Sequence, residues 1–184
     1  MLKKTLLAAA VFACATTAVQ ANEVSGYLTG SVGQSDTKGA NTDTAYKIAV
    51  GLQANPYVGL EAQYTDLGKP SDRGYLVVGS TAYSGKLTAD TKGLGANLVG
   101  TLPLDDFKLF AKVGYHKMET KVKFKADAGG SVSGTAREWV PSFGAGASYA
   151  IMPELEIVAE YERYKDVADA YNVDLASVGL RYNF

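Results

Sequence analysis

Apolar and polar residues alternate along most of the chain, in segments of about ten residues each. The clearest segment is 139–151, where every odd position is apolar or aromatic and nearly every even position is small or polar. Successive side chains of a β-strand point to opposite faces, so a period of two predicts strands. The long 3.6-residue period of an amphipathic helix is absent from the sequence.

The same alternation predicts seven further strands. They lie near residues 24–33, 46–53, 58–64, 93–102, 107–116, 155–162 and 176–184. In the first of them, Tyr27 and Leu28 compete for the apolar face. The sequence therefore predicts an all-β chain with eight strands.

Proline marks three short connections between these strands, because it cannot donate a hydrogen bond to a strand ladder. They are Asn55-Pro56, Pro103-Leu104-Asp105-Asp106 and Met152-Pro153. Four longer connections are rich in Gly, Ser, Asp and Lys. These are residues 35–43, 68–86, 122–135 and 166–169. Short turns on one side and long loops on the other predict an eight-stranded antiparallel up-and-down β-barrel.

The first 21 residues have the pattern of a cleaved signal peptide. Lys3 and Lys4 precede an apolar run that is too short to span a bilayer, and cleavage is expected after Ala21. The barrel domain is then residues 22–184. Cys14 also faintly matches a lipoprotein cleavage box, but the bulky Phe12 argues against lipidation.

Composition excludes several classes of function. Cys14 is the one cysteine, so the chain after Ala21 has no thiol for a disulfide or a cysteine-based metal site. Cleavage removes two of the 18 basic residues and none of the 19 acidic ones, which leaves a slightly acidic chain. That balance does not suggest nucleic acid as a partner. We predict no cofactor and no metal.

The apolar face of the strands is expected to point outward. A soluble lipocalin-like barrel would alternate in the same way with its apolar side chains inside. Here the other face is rich in glycine and charge, and aromatic residues lie toward strand ends as in membrane-interface girdles. Together with the signal peptide, this pattern predicts the cell outer membrane as the location.

The inward face then carries charged side chains in a lumen that has little free space. The residues expected to form a salt-bridge plug are Lys47, Glu61, Lys112, Glu156, Glu160 and Arg181, with Lys108 and Glu162 also pointing inward. Charges in so confined a space must pair, because an unpaired buried ion costs several kcal/mol. A gate or proton path is the alternative interpretation of the same residues.

A column of lysines continues the outward face beyond the membrane. Lys117, Lys121, Lys123 and Lys125 share the parity of the outward Tyr115, which makes them candidates for contact with lipopolysaccharide phosphates. Pairing of Leu102 with Phe107 would set Lys92 opposite Lys117, where an anion could lie between them. The alternative is a solvated strand extension balanced by Glu119.

Three segments resemble small bacterial outer-membrane β-barrel proteins. They are residues 26–35 (GYLTGSVGQS), 160–164 (EYERY) and 178–184 (VGLRYNF). The chain is similar to the transmembrane domain of outer membrane protein A, outer membrane protein X with the attachment-invasion proteins, and neisserial surface protein A. The alternating end of the chain, with Leu180, Tyr182 and Phe184, resembles the C-terminal signal that such barrels present to the barrel assembly machinery.

The resemblance implies a role in envelope integrity, adhesion or immune evasion. Its implied partners are outer-membrane lipids, lipopolysaccharide and host or environmental surface ligands. A narrow porin-like channel is the alternative, and the plugged lumen argues against it. A lipid A-modifying enzyme is less favoured still, because His116 is the only histidine and strand spacing places no nucleophile beside it.

Overall fold

The protein's structure, a computed structural model, describes residues 25–37, 42–69, 71–78, 81–127, 129–167 and 171–184. The predicted signal peptide, with Cys14, lies outside these residues. Within them the chain forms strands joined by turns. The strands are β1 (Ser25–Thr37), β2 (Asp43–Asn55), β3 (Val58–Asp66), β4 (Ser71–Val78), β5 (Thr81–Leu104), β6 (Phe107–Ala126), β7 (Ser131–Met152), β8 (Leu155–Val167) and β9 (Tyr171–Asn183).

These strands close into a barrel in which every pairing is antiparallel. Sequential strands pair with each other except β3 and β4, β9 returns to β1, and β3 pairs with β5 to complete the ring. β4 is a short strand that pairs with the upper half of β5, above the part that β3 occupies. β3 and β4 therefore share one position in the ring, and the predicted eight-stranded up-and-down barrel is confirmed.

Three short turns form at the predicted places, but Pro103 does not end its strand, since it belongs to β5 and pairs with Lys108. Pro56 and Tyr57 form the first turn, and the side chain of Asn55 accepts hydrogen bonds from the amides of Tyr57 and Val58, both at 2.9 Å. The second turn is tighter than expected. Asp105 adopts φ 56°, which lets Leu104 pair directly with Phe107. Asp tolerates this left-handed conformation better than most residues do.

Two of the four predicted long loops are wrong, because their residues continue the strands. Much of 68–86 belongs to β4 and β5, and most of 122–135 belongs to β6 and β7. The ladder between β5 and β6 extends up to Gly85 and Ala126. Gly, Ser, Thr and Lys suggested loops because the apolar alternation stops there. It stops because the sheet has risen beyond the membrane, where both faces meet water.

Burial is inverted relative to a soluble protein. Large apolar side chains lie on the outside, among them Leu60 and Trp139, which are 65% and 63% exposed. Charged side chains lie inside, and Glu162 is fully buried. This arrangement suits a barrel surrounded by lipid rather than a lipocalin-like fold. In the part of the chain that is described, no helix is long and apolar enough to cross a membrane.

Candidate functional site

Lys112 of β6 lies at the centre of a buried ionic network in the lumen. Its Nζ is 2.8 Å from Oε1 of Glu61 on β3 and 2.6 Å from Oε1 of Glu160 on β8. All three side chains are almost completely buried. The network therefore joins strands on different walls of the barrel through its interior.

A second lysine extends this network toward the long-loop side. Nζ of Lys47 lies 2.5 Å from Glu160 and 3.3 Å from Glu162. The amide of Gln63 donates to both oxygens of Glu162, at 3.1 and 3.0 Å, and to the hydroxyl of Tyr164 at 2.8 Å. Two lysines thus face three carboxylates, and neutral donors supply the remaining hydrogen bonds.

Several members of this network were not predicted as site residues. The hydroxyl of Tyr27 donates to Glu61 at 3.0 Å, and the amide of Asn97 donates to Glu61 at 3.1 Å and to Gln63 at 3.0 Å. The parity of Gln63 and Asn97 along their strands does put them on the inward face. The sequence cannot show that neutral amides complete an ionic network, because that depends on contacts across the barrel.

A smaller ionic cluster lies at the short-turn end of the lumen. Nζ of Lys108 is 2.5 Å from Oε1 of Glu156, and the amide of Asn183 donates to the same oxygen at 3.0 Å. Arg181 is the register partner of Glu156 and its Nη1 is 3.7 Å from Oε2. All six residues predicted for the lumen therefore face inward, with Arg181 and Glu156 in this cluster and the other four around Lys112.

Aromatic and aliphatic side chains separate the two ionic clusters. The guanidinium of Arg181 lies 4.3 Å from the ring centre of Tyr27 and 5.1 Å from that of Phe110. Phe110 also packs with Val99 and Val158 in a buried cluster. A cation can rest favourably on an aromatic face, so these rings contact charge on one side and aliphatic carbon on the other.

The upper end of the lumen is apolar, which was not predicted. Eight buried side chains form one cluster there. They are Ala45, Leu67, Met118, Val140, Tyr164, Val167, Val173 and Leu175. The inward face was expected to be rich in glycine and charge. Above the ionic network it instead packs as a hydrophobic core does, which removes water from that level.

The strand alternation predicts that Gly51, Gly144 and Gly146 lie opposite Glu61, Glu162 and Glu160 and make room for these carboxylates. Gly51, Gly144 and Gly146 do lie opposite Glu61, Glu162 and Glu160. A Cβ at Gly144 would crowd Glu162, but one at Gly51 would overlap the Tyr27 ring and one at Gly146 would overlap the Phe110 ring. Two of these glycines therefore make room for aromatic rings rather than for carboxylates.

His116 is buried in the lumen beside Tyr164. The two ring centres are 5.3 Å apart in an edge-to-face arrangement. Neither imidazole nitrogen has a hydrogen-bond partner among the described residues. Over the same residues no group of three or more His, Cys, Asp or Glu side chains could hold a metal ion.

The predicted lysines form an exposed basic face on the sheet that rises above the barrel. Lys117, Lys121, Lys123 and Lys125 are all exposed on β6. Lys86 of β5 is the register partner of Lys125, and Arg73 of β4 is that of Lys86. The name "basic face" is used for eight residues: Arg73, Lys86, Lys92, Lys117, Lys121, Lys123, Lys125 and Arg137.

The predicted pairing of Lys92 with Lys117 is wrong. Because the second turn is tight, Lys92 is the register partner of Glu119 and Lys117 is that of Leu94. Nζ of Lys92 lies 2.9 Å from Asp66 of β3, which raises the pKa of Lys92. The two lysines are therefore not a like-charged pair that needs an anion between them.

Glu119 neutralises the middle of the basic face. Its carboxylate is 2.6 Å from Nε of Arg137 and 3.0 Å from Nζ of Lys121. Hydrogen bonds from Arg137 and then from Lys121 lower the pKa of Glu119. In the described part of the chain, no carboxylate forms an ion pair with Lys117, Lys123 or Lys125.

A groove opens on the outer surface at the lower end of the basic face, with a volume of about 790 Å³. Tyr64, Tyr115 and Trp139 stand around it, and Ala62 pairs with Ala96 across its floor. These aromatic residues belong to the predicted interface girdle. A cation beside them, such as Lys117, lies at the height where an outer leaflet carries its headgroups.

The C-terminal residue completes the ladder that closes the ring. The amide of Phe184 donates to the carbonyl of Gly26 at 2.8 Å, and the amide of Gly26 donates back at 2.9 Å. The ring of Phe184 covers Gly26 and lies 6.3 Å from the ring of Tyr182. Leu180, Tyr182 and Phe184 all point outward.

Curated relatives agree with this fold. The chain is 30% identical over 140 residues to outer membrane protein A of Salmonella typhi and 29% identical over 140 residues to that of Shigella flexneri. Each alignment covers 73% of this chain. The aligned region spans only 38% of the length of either relative.

Solved structures of outer-membrane barrels share the fold at low sequence identity. The attachment invasion locus protein of Yersinia pestis gives a TM-score of 0.60 at 18% identity, covering 88% of this chain and 99% of that one. Neisserial surface protein A gives 0.58 at 14% identity, covering 88% and 97%. A major outer membrane protein of Thermus thermophilus gives 0.60 at 11% identity, covering 86% and 99%.

The family model described as "Outer membrane protein beta-barrel domain" matches residues 5–184. That match takes in the ionic lumen, the exposed apolar wall and the closing pair of β1 and β9. The chain belongs to the outer membrane protein β-barrel family, and its place is the cell outer membrane.

Proposed function

We propose that this protein is a structural and surface-interaction barrel that binds anionic groups carried on sugars through its basic face. The observation that carries the proposal is a set of lysines, Lys117, Lys123 and Lys125, that form no ion pair with a carboxylate among the described residues. They run upward from the aromatic girdle, so one end of the face meets the outer-leaflet headgroups and the other meets the cell exterior.

Lipopolysaccharide is the proposed ligand of the lower end. Its phosphates would contact Lys117, and its acyl chains would lie along the groove beside Tyr115 and Trp139. Lys92 contributes less, because its charge is already matched by Asp66. Lys121 likewise shares Glu119 with Arg137.

Sulfated or phosphorylated glycans are the proposed ligands of the upper end, around Lys123, Lys125 and Lys86. The attachment invasion locus protein of Yersinia pestis was crystallised in complex with the heparin analogue sucrose octasulfate. That protein resembles this chain in fold alone, so the support for glycan binding by this chain comes from its own lysines. Contact with host or environmental surfaces would follow from such binding.

The test compares stability with and without lipopolysaccharide. Lys117→Gln, Lys123→Gln and Lys125→Gln are combined, and urea unfolding is measured in neutral detergent micelles with or without lipopolysaccharide. The wild type should gain stability from lipopolysaccharide and the triple variant should lose most of that gain. Salt should reduce the wild-type gain, because exposed charges are screened.

Two controls distinguish binding at the basic face from a general effect of the protein's positive charge. Arginine at the same three positions should keep the response. Lys165→Gln removes an exposed cation from β8, on another wall of the barrel, and should leave the response unchanged. Equal stabilisation of the wild type and the triple glutamine variant would contradict the proposal. Titration with sucrose octasulfate tests the upper end in the same variants.

We further propose that the lumen is closed to solutes and that the protein is not an enzyme. Support comes from the ionic network around Lys112, the aromatic rings below it and the apolar cluster above it. In planar bilayers the refolded protein should give no stepwise conductance. Regular single-channel steps from protein that shows the heat-modifiable gel shift of a folded barrel would support the porin-like alternative.

A further inference from the structure

The lower mouth of the lumen contains a small pocket of about 160 Å³ between the short turns. Pro56 of the first turn and Pro103 at the end of β5 line this pocket together with Arg181 and Lys108. The pocket is on the opposite side of the membrane from the basic face, so its role is independent of the function proposed above.

Among the described residues, two cations and no carboxylate line this pocket. Arg181 and Lys108 share one carboxylate, Glu156. Lys108 and Asn183 already contact Oε1 of Glu156, at 2.5 and 3.0 Å. Glu156 therefore satisfies Lys108 and leaves Arg181 with a distant ion pair.

Only one nitrogen of the Arg181 guanidinium donates a hydrogen bond to a described residue, and its terminal nitrogens are not among the fully buried polar atoms without a partner. Arg181 is only 5% exposed, and its Nε donates to the hydroxyl of Thr29 at 3.2 Å. Nη1 lies 3.7 Å from Glu156, which is beyond hydrogen-bonding distance. Among the described residues, neither terminal nitrogen of Arg181 has a hydrogen-bond acceptor. Tyr27 and Phe110 offer only aromatic faces.

We propose that this pocket binds a phosphate-type oxyanion between Arg181 and Lys108. The planar guanidinium presents paired N–H donors that match two oxygens of such an anion, and Lys108 adds a point charge. The hydroxyl of Thr101 and the amide of Gln53 line the same pocket and can donate from the turn side. The bound anion gives the terminal nitrogens of Arg181 the acceptors that the described residues do not supply.

Inorganic phosphate and the phosphate end of a periplasmic monoester share this chemistry. The pocket opens toward the periplasm, so the remainder of an ester would extend out of the mouth. Glycerol 1-phosphate is the probe for the second source. If only inorganic phosphate binds, the free ion is the ligand. If both probes bind with similar affinity, an ester can also occupy the site, and either result supports the pocket.

Binding is measured by amide chemical shifts of the refolded protein in a maltoside detergent, which carries no phosphate. Phosphate is titrated at constant ionic strength with chloride as the balancing anion. We expect saturable shifts at Thr29 and Asn183, the residues that flank Arg181 and Glu156. Arg181→Gln should weaken phosphate binding at least tenfold, and Arg181→Lys should recover part of it.

Lys165→Gln is the matched control, because it removes one exposed cation on the extracellular side, outside both the pocket and the basic face, and should leave phosphate binding unchanged. A folded Arg181→Gln variant that binds phosphate as the wild type does would overturn the proposal. So would shifts that chloride reproduces, or the absence of any saturable shift in the wild type. The spectra themselves show whether each variant is folded.

Discussion

Tyr27 lies over Gly51, its register partner on β2, so that a Cβ at Gly51 would overlap the tyrosine ring. Glu61 is the partner of Gly51 on the other side, and the hydroxyl of Tyr27 donates to it at 3.0 Å. Three strands thus form one row in which the middle residue has no side chain. The missing side chain of one residue allows the hydrogen bond between the other two.

Gly51→Ala should therefore destabilise the barrel. The methyl group forces the Tyr27 ring away from Glu61, and overpacking of this kind typically costs about 1–3 kcal/mol. The loss is measured as a lower free energy of urea unfolding in micelles. Gly30→Ala is the control, since a Cβ there meets nothing within 4 Å. If both variants unfolded at the same urea concentration, the packing of Tyr27 on Gly51 would not contribute to the stability of the barrel.

Lys112→Met tests the central network. The substitution leaves Glu61 and Glu160 without their shared lysine, and breaking a buried pair in this way costs about 3–5 kcal/mol. The measurement is again the free energy of urea unfolding. Glu61→Gln in the same chain removes one stranded charge and should restore part of the stability.

The double variant also makes this prediction falsifiable. If the two substitutions destabilised additively, Lys112 and Glu61 would not be coupled. If Lys112→Met alone cost less than about 1 kcal/mol, as an exposed ion pair does, the network would be hydrated rather than dry.

The outline of the fold could be predicted because lipid and lumen impose opposite chemistry on alternate residues. Leu28 and Tyr27 show where this rule is insufficient. Both are large and partly apolar, and only the structure shows Leu28 facing lipid while Tyr27 enters the lumen. A buried tyrosine hydroxyl needs a hydrogen-bond partner, and in the lumen Glu61 accepts the hydrogen bond of Tyr27.

The position of a residue along the barrel axis was harder to predict than whether its side chain points inward or outward. The error at Lys92 came from assuming a four-residue connection after Leu102, where the left-handed Asp105 allows a tighter turn. A shift of two positions keeps every side chain on its face but changes its neighbour. The apolar cluster around Tyr164 was missed because its members are scattered along the sequence and meet only inside the ring.

Deletion of Phe184 should impair assembly of the barrel. The residue exchanges two backbone hydrogen bonds with Gly26, so the deletion leaves the closing pair of strands one step shorter. The fraction that shows the heat-modifiable gel shift, in cells and after refolding in micelles, measures the effect. Phe184→Ala keeps the backbone pair and removes only the ring.

Comparison of the two variants separates recognition of the Phe184 side chain during assembly from the role of its backbone in closing the barrel. If Phe184 acts as an assembly signal, both variants should assemble poorly in cells and Phe184→Ala should still refold in micelles. Normal insertion of both in cells would contradict a signal role for Phe184.

Glu119 should titrate at a lower pH than an ordinary glutamate, because hydrogen bonds from Arg137 and Lys121 stabilise its charged form. A carboxyl whose pKa is lower in the folded protein contributes stability above its unfolded pKa, and that contribution is lost as the pH falls through the folded pKa.

The midpoint of the Glu119 titration is read from its carboxyl ¹³C shift. Arg137→Gln should raise it most and Lys121→Gln less, whereas Lys125→Gln, beyond the ion pairs of Glu119, should leave it nearly unchanged. High salt should move the wild-type midpoint toward the ordinary value, since these groups are exposed. A wild-type midpoint that neither Arg137→Gln nor salt changes would show that these cations do not stabilise the charged form of Glu119.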